Sequence, residues 1–119
     1  MFTEQTWPFI CFPYTNQLGY NMEKFNELIQ SSHPVLVDFY AEWCGPCRTM
    51  KAILLDVAER IGDKARIIKV DIDKEPKLAD QYRIQSVPTL IIFKKGKQLW
   101  RQSGVISTHA LVKLLEDYQ

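Results

Sequence analysis

The segment Val35-Leu36-Val37-Asp38-Phe39-Tyr40 is apolar on both of the faces that a strand presents, with Asp38 the one interruption. A strand of that kind has to be covered on either side, as the central strand of a sheet lying between layers of helix is. The rest of the chain supplies the cover. Asn21 can cap a helix whose apolar face is Phe25, Leu28 and Ile29 and which ends before Pro34. Met50, Ile53, Leu54, Val57, Ala58 and Ile61 recur at steps of three and one, with Gly62 as the stop. Residues 66–70 predict a second buried strand, and residues 76–82 a shorter helix with Pro76 in its first turn. Residues 89–93 and 98–103 flank the polar run Lys94-Lys95-Gly96-Lys97, which predicts an antiparallel hairpin. Ser107 can cap a last helix with Leu111, Leu114, Leu115 and Tyr118 on one face. The order α, β, α, β, α, β, β, α implies an α/β fold with a mixed sheet between helices and right-handed crossovers where strands run parallel.

At 119 residues the chain has the size of one domain. Residues 1–21 carry a single charged side chain, Glu4, and every other charge lies from Glu23 onward, which sets a boundary between an extension, 1–21, and a folded domain, 22–119. The extension holds Phe2, Trp7, Phe9, Phe12, Tyr14 and Tyr20 with Pro8 and Pro13, in neither helical spacing nor alternation. Three readings of it stay open: an irregular or partly disordered arm, an edge strand around residues 9–12, or synthesis that starts at Met22. It does not read as a secretory signal, because Glu4 is present, no early Lys or Arg is, and the prolines break its apolar stretch.

Fifteen Lys plus Arg against fourteen Asp plus Glu give a formal charge of +1, so nucleic acid is not an expected partner. The longest clean apolar run is the four residues Leu90-Ile91-Ile92-Phe93, so no membrane partner is expected either. Three cysteines exclude a framework of several disulfides, and their odd number points to a reducing compartment, the cytoplasm.

Cys44 and Cys47, separated by Gly45 and Pro46, stand between the strand at residues 35–40 and the Met50 helix. The carboxyl ends of strands are where open α/β sheets place their sites. Pro46 suits a first helical turn, so unpaired amides and the positive end of the helix dipole are expected to face Cys44. Both favour the thiolate and should bring the Cys44 pKa below the free value of about 8.5. Cys47, one turn further along the side that continues into Met50 and Leu54, is expected to be the more buried and less ionised thiol. A structural disulfide is a weak alternative, since closing a four-residue loop contributes only about 2 kcal/mol. Zinc is weaker still: four ligands are needed, and only Cys11, His33 and His109 are left, at irregular positions. Redox chemistry leads.

The runs VDFYAEWCGPC (residues 37–47), VDIDKEP (residues 70–76) and SVPTLIIFKKG (residues 86–96), with Gly104, resemble the thioredoxin family from about Asn21 to the end of the chain. The resemblance implies a thioredoxin fold with a sheet of four or five strands, and a Cys44/Cys47 pair that cycles between dithiol and disulfide to reduce disulfides in protein substrates. By the same likeness Cys44 attacks and Cys47 resolves, Asp38 takes the proton of Cys47, and Lys69 neighbours Asp38. Trp43, Gly45, Pro46, Val87, Pro88 and Gly104 form an apolar substrate-binding rim, with the Val87–Pro88 bond cis. No cofactor or metal is implied on the chain. Electrons are expected from NADPH through a flavoprotein, thioredoxin reductase, and the chain is expected to act as a monomer. From the residues alone, Asp38 reads equally as a capping or solvated carboxylate, Lys69 as a surface lysine and Trp43 as packing.

Two features depart from the family pattern. Ala52 stands where a proline is usual inside the long helix, so a kink there is not expected, and residues 1–21 contain no recognisable first family strand. Cys11 reads as a small buried residue rather than a regulatory thiol. A redox-independent binding module or folding aid is the alternative function, and an oxidase or isomerase of an oxidising compartment a third.

Overall fold

The computed structural model describes the backbone of residues 9–11 and 18–119, with side chains from Met22 onward. The central strand behaves as its two apolar faces require. It is β2, Val35–Tyr40, and lies in the middle of a five-stranded sheet with β1 (Phe9–Cys11), β3 (Arg66–Asp71), β4 (Thr89–Lys94) and β5 (Lys97–Ser103), in the spatial order β1-β3-β2-β4-β5. The β1, β3 and β2 strands run parallel, and β4 and β5 antiparallel to their neighbours, which is the mixed sheet expected. Strand β1 supplies the edge strand around residues 9–12 that was one of three readings of the extension. The readings of residues 1–8 and 12–17 as an irregular arm lie outside the described residues.

Helix α1 spans Leu18–Leu28, α2 Gly45–Ile61, α3 Pro76–Gln81 and α4 Thr108–Asp117, with one 3-10 turn at Gly62–Lys64. Helix α1 starts three residues before Asn21, so Asn21 lies inside the helix instead of capping it. Once Phe25 anchors the helix on the sheet, each residue added toward the N-terminus gains a hydrogen bond, and this outweighs the preference of Asn for a cap. Helix α2 runs through Ala52 without a break, and Gly62, at φ 59°, ends it by donating its N–H to the Ala58 carbonyl.

The alternation along β2 sorts its residues between two cores. Val35, Val37 and Phe39 join Phe25, Leu28 and Ile29 of α1, Leu78 of α3, Ile68, Val70, Ile91 and Phe93 on one face. Phe25 and Tyr82 share the middle of an aromatic cluster, 5.6 Å apart between ring centroids, Phe25 lying 6.5 Å from Phe39 and 5.8 Å from Phe93 and Tyr82 6.0 Å and 5.4 Å from the same rings, inside the range of favourable offset and edge contacts. Leu36 joins Met50, Leu54, Val57 and Ile61 of α2 and Leu111 and Leu115 of α4 on the other face.

The β4–β5 connection is tighter than the four polar residues suggested. Lys95 and Gly96 both take positive φ, 53° and 82°, the two-residue turn that matches the twist of a hairpin. Their N–H groups donate to the carbonyls of Ser31 and Ile29, each at 2.9 Å, which fastens the hairpin to the end of α1. A Cβ at Gly96 would meet only the end of the exposed Gln30 side chain, which can swing aside, so it is the positive φ of the turn that favours glycine here. Among the described residues no helix is long and apolar enough to cross a membrane.

Candidate active site

Strand β2 ends at Tyr40, and a short loop delivers Cys44 to the mouth of α2. Cys44 is the N-cap residue, in extended conformation at φ −90° and ψ 119°, followed by Gly45 and Pro46 in the first turn. Its N–H donates to the Ala41 carbonyl at 3.2 Å. Its Sγ accepts the N–H of Cys47 at 3.1 Å, so one of the amides that a helix N-terminus leaves unpaired is spent on this sulfur. Cys44 and Cys47 are joined in a disulfide.

The expected difference in burial between the two sulfurs is absent in this oxidised state. Cys44 is 4% exposed and Cys47 5%. The bond holds both in one small apolar group with Ala41, against which Tyr40, Ile72 and Val87 pack. What separates the two is the surroundings. Cys44 Sγ lies 3.7 Å from the Val87 carbonyl oxygen and receives the Cys47 amide, whereas Cys47 lies on the buried side of α2 that continues into Met50 and Leu54.

Asp38 lies on the same face of the sheet as Leu36, the face that α2 covers, and nearer than Leu36 to the end of β2 from which α2 rises. It is fully buried, and neither carboxyl oxygen has a hydrogen-bond partner among the described residues. Desolvation pushes its pKa from 3.8 up to about 7, against the opposing charge of Lys69. Lys69 is its register partner on β3 and shares its face of the sheet with Ile67. It is 8% exposed rather than on the surface, with Nζ 4.3 Å from the centroid of the Tyr40 ring, where a cation is attracted to the ring face.

A second loop closes on the sulfurs from β4. The Val87–Pro88 peptide bond is cis, and Pro88 is buried while Val87 is half-buried. Thr89, buried at the start of β4, donates its hydroxyl to the Ser86 carbonyl at 2.7 Å and is 2.9 Å from the Ser103 hydroxyl. Gly104 donates its N–H to the Pro88 carbonyl at 2.8 Å. It does so at φ 97°, which side chains rarely tolerate. Around this centre Gly45 and Pro46 are exposed and Gly104 is half-buried.

Trp43 does not pack into the core. It is 67% exposed and donates its indole N–H to Asp73 Oδ2 at 2.9 Å. Asp73 is in turn set by Asp71, whose Oδ1 accepts the N–H of Asp73 at 2.9 Å. The sequence reading named neither aspartate, although both stand in the VDIDKEP run, nor Val105, a 46% exposed side chain next to Gly104. Trp43 and Asp73 meet across 30 residues of chain, which leaves no spacing to read.

A sulfur at a helix mouth, a second sulfur one turn behind it, a carboxyl with a raised pKa on the covered face and an apolar rim can together take up and release two electrons as a disulfide. The family model described as Thioredoxin matches residues 17–117. Among curated relatives, the chain is 46% identical over 93 residues to the chloroplastic thioredoxin Y of Oryza sativa subsp. japonica, covering 77% of this chain and 55% of that protein. It is 40% identical over 92 residues to thioredoxin 1 of Synechococcus elongatus, covering 77% of this chain and 86% of that one. The chain spans about half the length of the plant relatives it matches. Among solved structures, a thioredoxin from Nicotiana alata superposes with a TM-score of 0.80 at 26% identity, over 94% of this chain and 93% of that one.

Proposed function

The chain belongs to the thioredoxin family, and from that membership we propose that it is a protein thiol-disulfide oxidoreductase that reduces disulfides in protein substrates through Cys44 and Cys47. The observation that carries the reading is the Cys44–Cys47 disulfide at the mouth of α2, with the Cys47 N–H on Cys44 Sγ. In the reduced chain the same N–H stabilises negative charge on that sulfur.

The Cys44 thiolate attacks one sulfur of the substrate disulfide, forming a mixed disulfide and expelling the other substrate sulfur as a thiolate, which takes a proton from solvent. Cys47 then gives its proton to Asp38, whose raised pKa suits it to accept one near neutral pH. The Cys47 thiolate attacks Cys44 Sγ and expels the second substrate sulfur. Two electrons have passed to the substrate, and the chain is left in the oxidised form described above. The backbone of the Val87–Pro88 loop, beside Cys44, receives an extended substrate segment in the manner of an added strand. Trp43, Gly45, Pro46, Val87 and Gly104 offer it an uncharged rim.

The disulfide is reduced again by electrons from NADPH through a flavoprotein, thioredoxin reductase. The chain works as a monomer, and its compartment is a reducing one, the cytoplasm; the odd number of cysteines supports the compartment. The test is dithiothreitol-driven reduction of insulin by the wild-type chain and by Cys44→Ser. Loss of all catalysed reduction in the variant is expected. Catalysis that survived it would leave the redox-independent binding module as the better reading.

A further inference from the structure

Where α3 ends beside β5, Gln81, Tyr82, Arg83, Gln85, Gln98 and Arg101 line an open groove of about 440 Å³. Its chemistry is one-sided: two guanidiniums, three carboxamides and a phenol, with no carboxylate in the lining. Arg101 donates from Nη1 to the Tyr82 carbonyl at 2.6 Å and from Nη2 to the Arg83 carbonyl at 2.9 Å. That fixes the plane of its guanidinium and leaves further N–H donors of the fork unused. The turn that carries Arg83, at φ 53°, is held by its own N–H on the Asp80 carbonyl at 3.0 Å and by the Ile84 N–H on the Ala79 carbonyl at 2.9 Å. Among the described residues neither arginine is in an ion pair. One guanidinium fixed in place, Arg101, beside a second on a braced turn, Arg83, neither with a counter-charge in the lining, is complementary to carboxylates.

The groove also adjoins the redox centre. Gln85 in its wall is two residues before Val87, whose carbonyl is 3.7 Å from Cys44 Sγ, so at most about 7 Å of extended chain separates the two. Strand β5 links them a second time. Arg101 pairs with Ile91, and Ser103, two residues on, pairs with Thr89 beside Pro88.

We propose that this groove binds an acidic stretch of the protein substrate next to the disulfide under attack, so that the chain favours disulfides flanked by Asp and Glu. The inference rests on the oxidoreductase reading of Cys44 and Cys47. Its test is the rate at which the reduced chain reduces two cystine peptides that differ only in a flanking run of glutamates or glutamines. The acidic peptide is expected to react about fivefold faster at low salt, the yield of a few partly exposed charge pairs. Raising salt from about 50 mM to about 500 mM should shrink that ratio toward one. Arg83→Gln should shrink it at low salt, and Arg83→Glu, which leaves the Arg101 charge cancelled, should bring it to about one.

A wild-type ratio of one, or a ratio untouched by both substitutions and by salt, would overturn the inference while leaving the oxidoreductase reading in place. Failure to reduce either peptide would overturn both. A ratio of one together with shifts of the Arg83 and Arg101 side-chain resonances on adding inorganic phosphate would reassign the groove to small anions and overturn it as well.

Discussion

Asp38 is a carboxyl group in a position built for a hydrocarbon: fully buried, between Lys69 and Leu90 in the sheet, with both oxygens lacking a hydrogen-bond partner among the described residues. Its pKa rises from 3.8 to about 7 on folding because burial penalises the anion. Between those values the folded chain keeps a proton that the unfolded chain releases, so stability falls as pH rises through the interval and is flat above it. The full loss is about 4 kcal/mol. Asp38→Asn removes that dependence. Its urea midpoint should match the wild type at about pH 4 and exceed it above about pH 7, while its turnover on insulin at neutral pH should fall as Cys47 loses its proton acceptor. Equal midpoints at both pH values would contradict the burial argument. Gly104 isolates a backbone effect. It sits at φ 97° with nothing within 4 Å of where a Cβ would be, so Gly104→Ala should cost about 1–3 kcal/mol in strain alone, read as a lower urea midpoint. The identity of these residues was legible in the sequence, through their likeness to a family. Their environment was not: Asp38 and Lys69 read by themselves as ordinary polar side chains, and only the register of β2 against β3 makes them neighbours.

The elements follow local rules closely where a cap or a turn decides them. Ser107 accepts the Ala110 N–H at 3.2 Å at the head of α4, as the sequence implied. Ser107→Ala should therefore cost about 1 kcal/mol in denaturant unfolding and leave the rate of insulin reduction unchanged, since the cap touches neither sulfur. The same rule at the head of α2 has a chemical use, because the capping atom there is the Cys44 sulfur. Local rules mislead at α1, where Asn21 offers a cap that the longer helix overrides. The hairpin shows the opposite case. A single glycine in a polar run marks the turn, but the two-residue geometry at Lys95 and Gly96 depends on both residues hydrogen-bonding to Ile29 and Ser31. Strand β5 is one edge of the sheet and carries Lys97 and Arg101, charges of the kind that discourage pairing with another chain.

At the scale of the molecule, the Cys44–Cys47 link couples redox state to stability. Closing so short a loop restricts the unfolded chain only slightly, so the reduced protein should be less stable by about 2 kcal/mol and unfold at a lower denaturant concentration. Paired urea curves with and without reductant test this, and a reduced form of equal or greater stability would contradict it. The sequence by itself determined the layered α/β architecture, because two apolar faces on one strand demand helices on both sides and the helix periodicities supply them. It also determined the dithiol and the helix mouth that holds it, since four residues of chain are enough to place a sulfur at an N-cap. The tertiary structure alone decided what converges there. The partners of the loop at Val87, of Trp43 at Asp73 and of Arg101 at the end of α3 stand 43, 30 and 19 residues apart in the chain. No period of helix or strand extends over such distances; those meetings are set by the order and register of strands in the sheet.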